Sequence, residues 1–95
     1  MSKCRFSPQA RDDLRDIHDF IASDKPIAAL RFIERLEAAC EQLGEHPLLG
    51  EACEEIGHDL RMFTVGNYVL FYRRFGHGVE IARVIHGARD WRRLF

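Results

Sequence analysis

Apolar residues recur every three or four positions as far as Leu43 and at every second position from about Leu60 onward. A chain that changes period in this way is helical first and stranded afterwards, which predicts an α+β fold and argues against alternating βαβ units. In the first part Ala10, Leu14, Ile17 and Ile21 share one helical face, while Arg11, Asp12, Asp13, Arg15, Asp16 and Asp19 fill the other. Ser7-Pro8 supplies an N-cap hydroxyl and a proline whose missing N–H costs nothing there, so a helix is predicted over roughly 8–22. Asp24-Lys25-Pro26 ends it and opens a second, whose stripe is Ala29, Phe32, Ile33, Leu36, Cys40 and Leu43. Gly44 followed by Pro47 predicts the stop. The short connection makes the pair an antiparallel hairpin.

Leu60–Val65 and Tyr68–Arg74 flank Gly66-Asn67, a two-residue hairpin turn with glycine available for positive φ. Val79–His86 follows Gly76-His77-Gly78 as a third strand, and residues 3–6, with Cys4 and Phe6 alternating against Lys3 and Arg5, predict a short strand ahead of the helices. Residues 45–59, with Pro47, Gly50 and Gly57, show no period and are expected to be a loop with one short turn. The expected architecture is one domain over 1–95: an N-terminal strand, an antiparallel helical hairpin, a three-stranded antiparallel β-meander, and a short C-terminal turn or helix within Ala88–Phe95. Its core is expected to contain Phe6, Leu14, Ile17, Ile21, Phe32, Ile33, Leu36, Leu43, Leu70, Tyr72, Ile81 and Val84. Tyr68, Leu70 and Tyr72 lie on one strand face and Val69 and Phe71 on the other. One apolar face therefore covers the hairpin, and the other needs a partner or a C-terminal cover.

Charge is distributed unevenly. Residues 1–58 hold seven Lys/Arg against twelve Asp/Glu, whereas residues 59–95 hold seven Arg against three acids. Arg61, Arg73, Arg83, Arg89 and the Arg92-Arg93 pair lie on or after the predicted sheet, joined by His86. Such a set suits either an RNA phosphate, with His86 as acid or base, or an acidic protein segment. Three cysteines are too few for a disulfide scaffold and are expected to be thiols. No His or Cys pair has the spacing of a metal site, Cys40 lies on an apolar helical stripe, and no glycine-rich loop opens a helix, so no metal and no cofactor is expected. No segment has the length of a membrane span or the pattern of a secretory signal, and the expected location is the cytoplasm.

The ordered set Leu60-Arg61-Met62-Phe63, Val65-Gly66-Asn67-Tyr68-Val69-Leu70-Phe71-Tyr72-Arg73, Val79-Glu80-Ile81 and Arg83-Val84-Ile85-His86-Gly87-Ala88-Arg89-Asp90 resembles the C-terminal half of the ParE/RelE toxins of bacterial type II toxin–antitoxin modules. Ser7-Pro8, Ala10, Asp13-Leu14, Ile17, Ala28-Ala29, Phe32-Ile33, Leu36, Leu43, Pro47 and Gly50 extend the resemblance over almost the whole chain. The fold it implies is the one the periodicities predict.

Within that superfamily the RelE branch resembles a ribosome-dependent mRNA endonuclease. Its pattern implies lysines ahead of the hairpin, an arginine directly after the hairpin-turn tyrosine, a further arginine near the C-terminus and a terminal tyrosine. Here the loop over 45–58 has no Lys and carries Glu45, Glu51, Glu54 and Glu55; Val69 follows Tyr68, Phe95 stands last, and only Arg89 is in register. The His86-Gly87-Ala88-Arg89-Asp90 run without the catalytic set resembles the ParE branch, which implies a protein inhibitor of DNA gyrase with no catalytic residues of its own. The resemblance further implies a ParD-like antitoxin whose acidic, amphipathic tail folds on binding, with operator DNA reached only through that antitoxin. The residues expected to meet the antitoxin are Arg61, Tyr68, Phe71, Arg73 and Arg83. Those expected to carry toxicity are His86, Arg89, Asp90, Trp91, Arg92 and Arg93.

Overall fold

Ser7 starts the first helix through its side chain: Oγ accepts the Ala10 N–H at 3.0 Å and satisfies one of the donors a helix start leaves open. The computed structural model describes residues 3–87 and 91. Strand β1 (Cys4–Phe6) leads through Ser7 into α1 (Pro8–Ala22), and α2 (Pro26–Glu45) returns against it. Prolines occupy the first turn of both helices, as their sequence positions predict. Strands β2 (Glu51–Ala52), β3 (Arg61–Val65), β4 (Tyr68–Phe75) and β5 (Gly78–His86) follow among the described residues, and the C-terminal turn or helix expected within 88–95 lies, Trp91 apart, outside them. None of the described helices is long and apolar enough to cross a membrane.

The expected meander is present as β3, β4 and β5, but it lies inside a five-stranded sheet of order β1-β5-β4-β3-β2. β1 joins it in parallel, with Cys4 opposite Val79 and Phe6 opposite Ile81. Around Gly66-Asn67 the hairpin closes Val65 onto Tyr68, and Gly66 takes φ +58 as a tight turn between twisted strands requires.

The second helix ends at Glu45, between Gly44 and Pro47, where the stop signal predicts, while two other boundaries differ from the expectation for a packing reason. A Cβ on Gly44 would stand 2.9 Å from the Lys3 Cβ, so this glycine also lets the chain entering β1 pass close to the helix. Gly78 likewise belongs to β5 and pairs with Phe75. Its missing Cβ leaves room for the Lys3 carbonyl, which accepts the Val79 N–H at 2.8 Å. The segment expected to be loop contains β2, which pairs Glu51 with Met62 and Ala52 with Arg61. Two residues carry no readable period, and what fixes them is tertiary. The Tyr72 hydroxyl, from the middle of β4, accepts the Gly50 N–H and donates to the Pro47 carbonyl, both at 2.8 Å.

Two apolar layers result. Ala10, Ile17, Phe32, Leu36, Cys40 and Leu43 of the helices bury against Val65, Leu70, Tyr72, Val79, Ile81 and Val84 of the sheet, with Phe6, Leu14, Ile21 and Ile33 packed at the margin. This contains every predicted core residue. On the opposite face Val69, Phe71 and Ile85 are covered by Cys53, Ile56 and Leu60 of the segment before β3, and by Trp91. Removing a side chain of this size from water contributes about 1.5–3 kcal/mol. The second layer is therefore a real addition to a small core, supplied by the very segment whose sequence lacks a pattern.

Candidate functional site

Two helices that meet at an acute connection leave an angle between their tips and the sheet edge, and here that angle is apolar. Phe20, in the last turns of α1, is 76% exposed, and Ile27, in the first turn of α2, is 66% exposed. Neither belongs to the helical stripes that form the core. Below them, Tyr68 at the start of β4 is half-buried, its ring 4.9 Å from that of Phe32 and 5.1 Å from the His86 imidazole, which meets it edge-on. The β4–β5 register places Tyr68 directly opposite His86. A hollow of about 780 Å³ runs between Phe20, Ile27 and Arg31 on the helical side and Gly66, Tyr68 and His86 on the sheet side. A second, of about 390 Å³, continues from Phe20, Tyr68 and His86 toward Asp13 and Asp16. The shared residues make one groove.

Its charge is arranged lengthwise. Arg31 and Arg35 border the end near the β3–β4 turn, where a Cβ on Gly66 would be 3.5 Å from the Arg35 guanidinium. The other end carries Asp13 and Asp16. Asp13 is already engaged: its carboxylate accepts Nε and Nη2 of Arg83 at 2.8 and 3.0 Å and the Val84 N–H at 2.9 Å. Asp13 thereby holds the Arg83 guanidinium charged, above its ordinary value, against the opposing effect of burial.

Of the residues expected to meet a partner, Tyr68 and His86 lie in this groove, and the rest are distributed elsewhere. Arg83 is half-buried and occupied by Asp13. A β-bulge is the cause: Phe71 pairs with Arg83 and Tyr72 with Ile81, so Ala82 is extra and the Arg83 side chain is re-aimed toward α1. Arg61 donates from Nη1 to the Gly50 carbonyl at 2.6 Å. Arg73 is exposed near the far end of β4. The three arginines therefore do not make one patch. Phe71 is fully buried, and the Trp91 ring lies 5.4 Å from it, closing the outer face of the sheet. Arg89, Asp90, Arg92 and Arg93 lie outside the described residues.

Phe20, Ile27, Arg31 and Arg35 were not anticipated as site residues. The signal was available: bulky apolar side chains stand off the buried stripe at the facing ends of two consecutive helices, with arginines one and two turns further along α2. Across the molecule, Glu51, Glu54, Glu55 and Asp59 are exposed on the segment before β3, and His58 there is flanked by Glu54 at 3.7 Å and Asp59 at 3.3 Å. Val69, next to the hairpin tyrosine, is buried.

Comparison with known proteins bears on this arrangement. Residues 4–91 match the family described as ParE toxin of type II toxin–antitoxin system, parDE. The chain is 31% identical over 91 residues to toxin ParE1 of Mycobacterium tuberculosis, covering 94% of this chain and 93% of that one. It is 33% identical over 93 residues to toxin ParE1 of Caulobacter vibrioides (97% and 96%), and 33% identical over 87 residues to toxin RelE3 of the same organism (90% and 95%). Among solved structures, a chain of the chromosomal ParDE toxin–antitoxin system from P. aeruginosa superposes with a TM-score of 0.75 at 19% identity, covering 90% of this chain and 96% of that one. The shared fold is the sheet with its helical hairpin.

Proposed function

The chain belongs to the ParE toxin family of type II toxin–antitoxin systems, and from that membership we propose that it is a non-enzymatic growth inhibitor, neutralised when a ParD-like antitoxin occupies the groove beside Tyr68. The observation that carries the antitoxin reading is the exposed pair Phe20 and Ile27 over Tyr68, with Arg31 and Arg35 alongside. An amphipathic acidic tail has the matching chemistry: apolar anchors for the groove and carboxylates for the two guanidinium groups. Such a tail orders as it binds, so its affinity depends on filling the apolar hollow and less on rim charges.

DNA gyrase is the proposed target, taken from the ParE branch. Against the alternative, a ribosome-dependent mRNA endonuclease, stands the surface around the β3 segment. Phosphodiester cleavage needs cations at the charge that builds on phosphorus. The loop ahead of the hairpin instead presents Glu51, Glu54, Glu55 and Asp59, and the residue after Tyr68 is a buried valine.

Expression without antitoxin separates the two readings. An inhibitor of gyrase arrests division, induces DNA-damage signalling and blocks supercoiling by purified gyrase, while messenger RNA stays intact. Arg92→Ala together with Arg93→Ala removes toxicity and spares antitoxin binding, while Trp91 stays in place over Phe71. Rapid cleavage of messenger RNA on ribosomes, lost with Arg89→Ala, would replace this reading with the endonuclease.

A further inference from the structure

Cys4 and Cys40 are 36 positions apart in sequence, yet the fold sets them against each other. Cys40 lies one helical turn before Gly44, on the same buried face of α2, and Gly44 is where the chain entering β1 passes that helix with Lys3 in contact. The next residue, the first of β1, is Cys4, whose side chain packs on the core cluster that contains Cys40. Each thiol acts on the other's titration, and the Cys4 Sγ also lies 3.9 Å from the Arg5 carbonyl. Their environments differ in the way a reactive pair requires. Cys4 is half-buried and lines a surface hollow of about 420 Å³ at the β4–β5 turn, whereas Cys40 is 2% exposed. Cys53 takes no part, since it is buried on the opposite face of the sheet with Sγ 3.4 Å from the Leu60 carbonyl.

We propose that Cys4 and Cys40 are a redox pair, closed to an intramolecular disulfide by hydrogen peroxide, with Cys4 as the attacking sulfur and Cys40 as the resolving one. In the first step the Cys4 thiolate attacks a peroxide oxygen. A sulfur–oxygen bond forms, the oxygen–oxygen bond breaks, and the departing hydroxide takes a proton to become water, which leaves Cys4 as a sulfenic acid. Then the Cys40 sulfur attacks the Cys4 sulfur. The sulfur–sulfur bond forms, the sulfur–oxygen bond breaks, and the hydroxyl departs as a second water carrying the Cys40 proton. Two thiols lose two electrons and one peroxide gains them. The assignment of roles follows from access: Cys4 is the half-buried thiol that lines the surface hollow and Cys40 the enclosed one, and the directions agree, the Cys40 side chain lowering the Cys4 thiol while Cys4 and burial push Cys40 upward.

The product joins β1 to α2 and closes a loop over residues 5–39, which restricts the unfolded chain. Oxidised protein therefore melts at a higher temperature than reduced protein.

The test uses the purified full chain in native buffer with hydrogen peroxide, followed by alkylation and peptide mapping without reductant. The expected result is an intact mass lower by two hydrogens, a peptide pair linking Cys4 to Cys40, alkylated Cys53 after denaturation, and a melting temperature that rises on oxidation and falls back with dithiothreitol. In Cys40→Ala the link disappears and dimedone traps the Cys4 sulfenic acid; in Cys4→Ser no link forms and Cys40 stays a thiol. Oxidation of Cys4 in the parent chain with Cys40 left alkylatable, a link between two copies through Cys4, or no reaction at all would each overturn the proposal. Should Cys40→Ala not fold, the peptide map of the parent chain still decides.

Discussion

Tyr72 is a single residue that fixes three parts of the molecule. Its ring is fully buried in the layer between helices and sheet, and its hydroxyl reaches beyond that layer to the Gly50 N–H and the Pro47 carbonyl. The neighbouring Arg61 takes the Gly50 carbonyl, so both backbone groups of Gly50 are held by side chains from the meander. A Cβ there would stand 2.5 Å from the Tyr72 hydroxyl and 2.7 Å from the Met62 carbonyl, which is why glycine is required without any special φ. Tyr72→Phe keeps the ring and strands two backbone groups, a loss of ~1–3 kcal/mol readable in urea unfolding. The same residue sets an alkaline limit. Burial raises the phenol above its ordinary value of 10, against the lowering effects of Gly50 and Arg61. Below pH 10 both folded and unfolded phenols are neutral and the stabilisation is complete. Above it the unfolded chain loses the proton first, so stability declines with rising pH. Comparing parent and Tyr72→Phe melts between pH 9 and 11 (roughly spanning the ordinary tyrosine range) should show a steeper decline in the parent; parallel declines would remove the phenol as the cause.

At the scale of elements, the open edge of β5 decides how α1 is attached. β1 covers only the first part of that edge, pairing as far as Ile81. Beyond it the entry to α1 takes over: the Ser7 N–H donates to the Ile81 carbonyl at 2.9 Å, Ser7 Oγ donates to the Ala82 carbonyl at 2.8 Å, and Asp13 accepts the Val84 N–H. Ser7 and Asp13 thus take the place of a missing strand at Ile81, Ala82 and Val84, satisfying backbone groups of the kind that invite another chain. Asp13→Ala would leave Arg83 and the Val84 N–H unsatisfied in a half-buried setting, with an expected cost of ~3 kcal/mol. Asp13→Asn should recover part of it, and equal melting of parent and Asp13→Ala would deny the edge its cap. This is also where the sequence was least informative. The helices and the meander were legible because Ala10, Leu14 and Ile17, or Leu70 and Tyr72, repeat at the period of their element. Asp13 reads as one more charge on a solvated face, since nothing local reveals a β-bulge some seventy residues away. Gly44 and Pro47 mark the end of α2 correctly, but nothing in the composition reveals that Lys3 also packs against Gly44. β2 is too short for any period, and Phe20 and Ile27 are visible only as apolar residues out of phase.

For the molecule as a whole, being stable and being neutralised rest on different apolar surfaces, and this makes the proposed function separable by mutation. Leu36 is 1% exposed at the centre of the helical stripe, whereas Phe20 is 76% exposed at the hairpin tip. Leu36→Ala should destabilise the fold by ~2–5 kcal/mol through lost burial and the cavity left behind. Phe20→Asp removes a ring that is already largely in water, so folding should change by about 0.5 kcal/mol or less. The two substitutions differ in the opposite direction for the partner. An aromatic anchor over a groove is the kind of residue whose loss costs ~2 kcal/mol or more of binding, about thirtyfold in affinity. An aspartate in its place would also face the carboxylates of an acidic tail. The expected pattern in calorimetry with the cognate antitoxin is a parent-like melting temperature with sharply weakened binding for Phe20→Asp, and the reverse for Leu36→Ala once the protein is held below its melting transition. Ile27→Asp, across the hairpin connection, should reproduce the Phe20 result because both residues line the same hollow. If both aspartate variants bound antitoxin as tightly as the parent, neutralisation would have to run over another surface. The exposed Leu48 and Leu49, at the opposite end of the second helix, would then be the next to test.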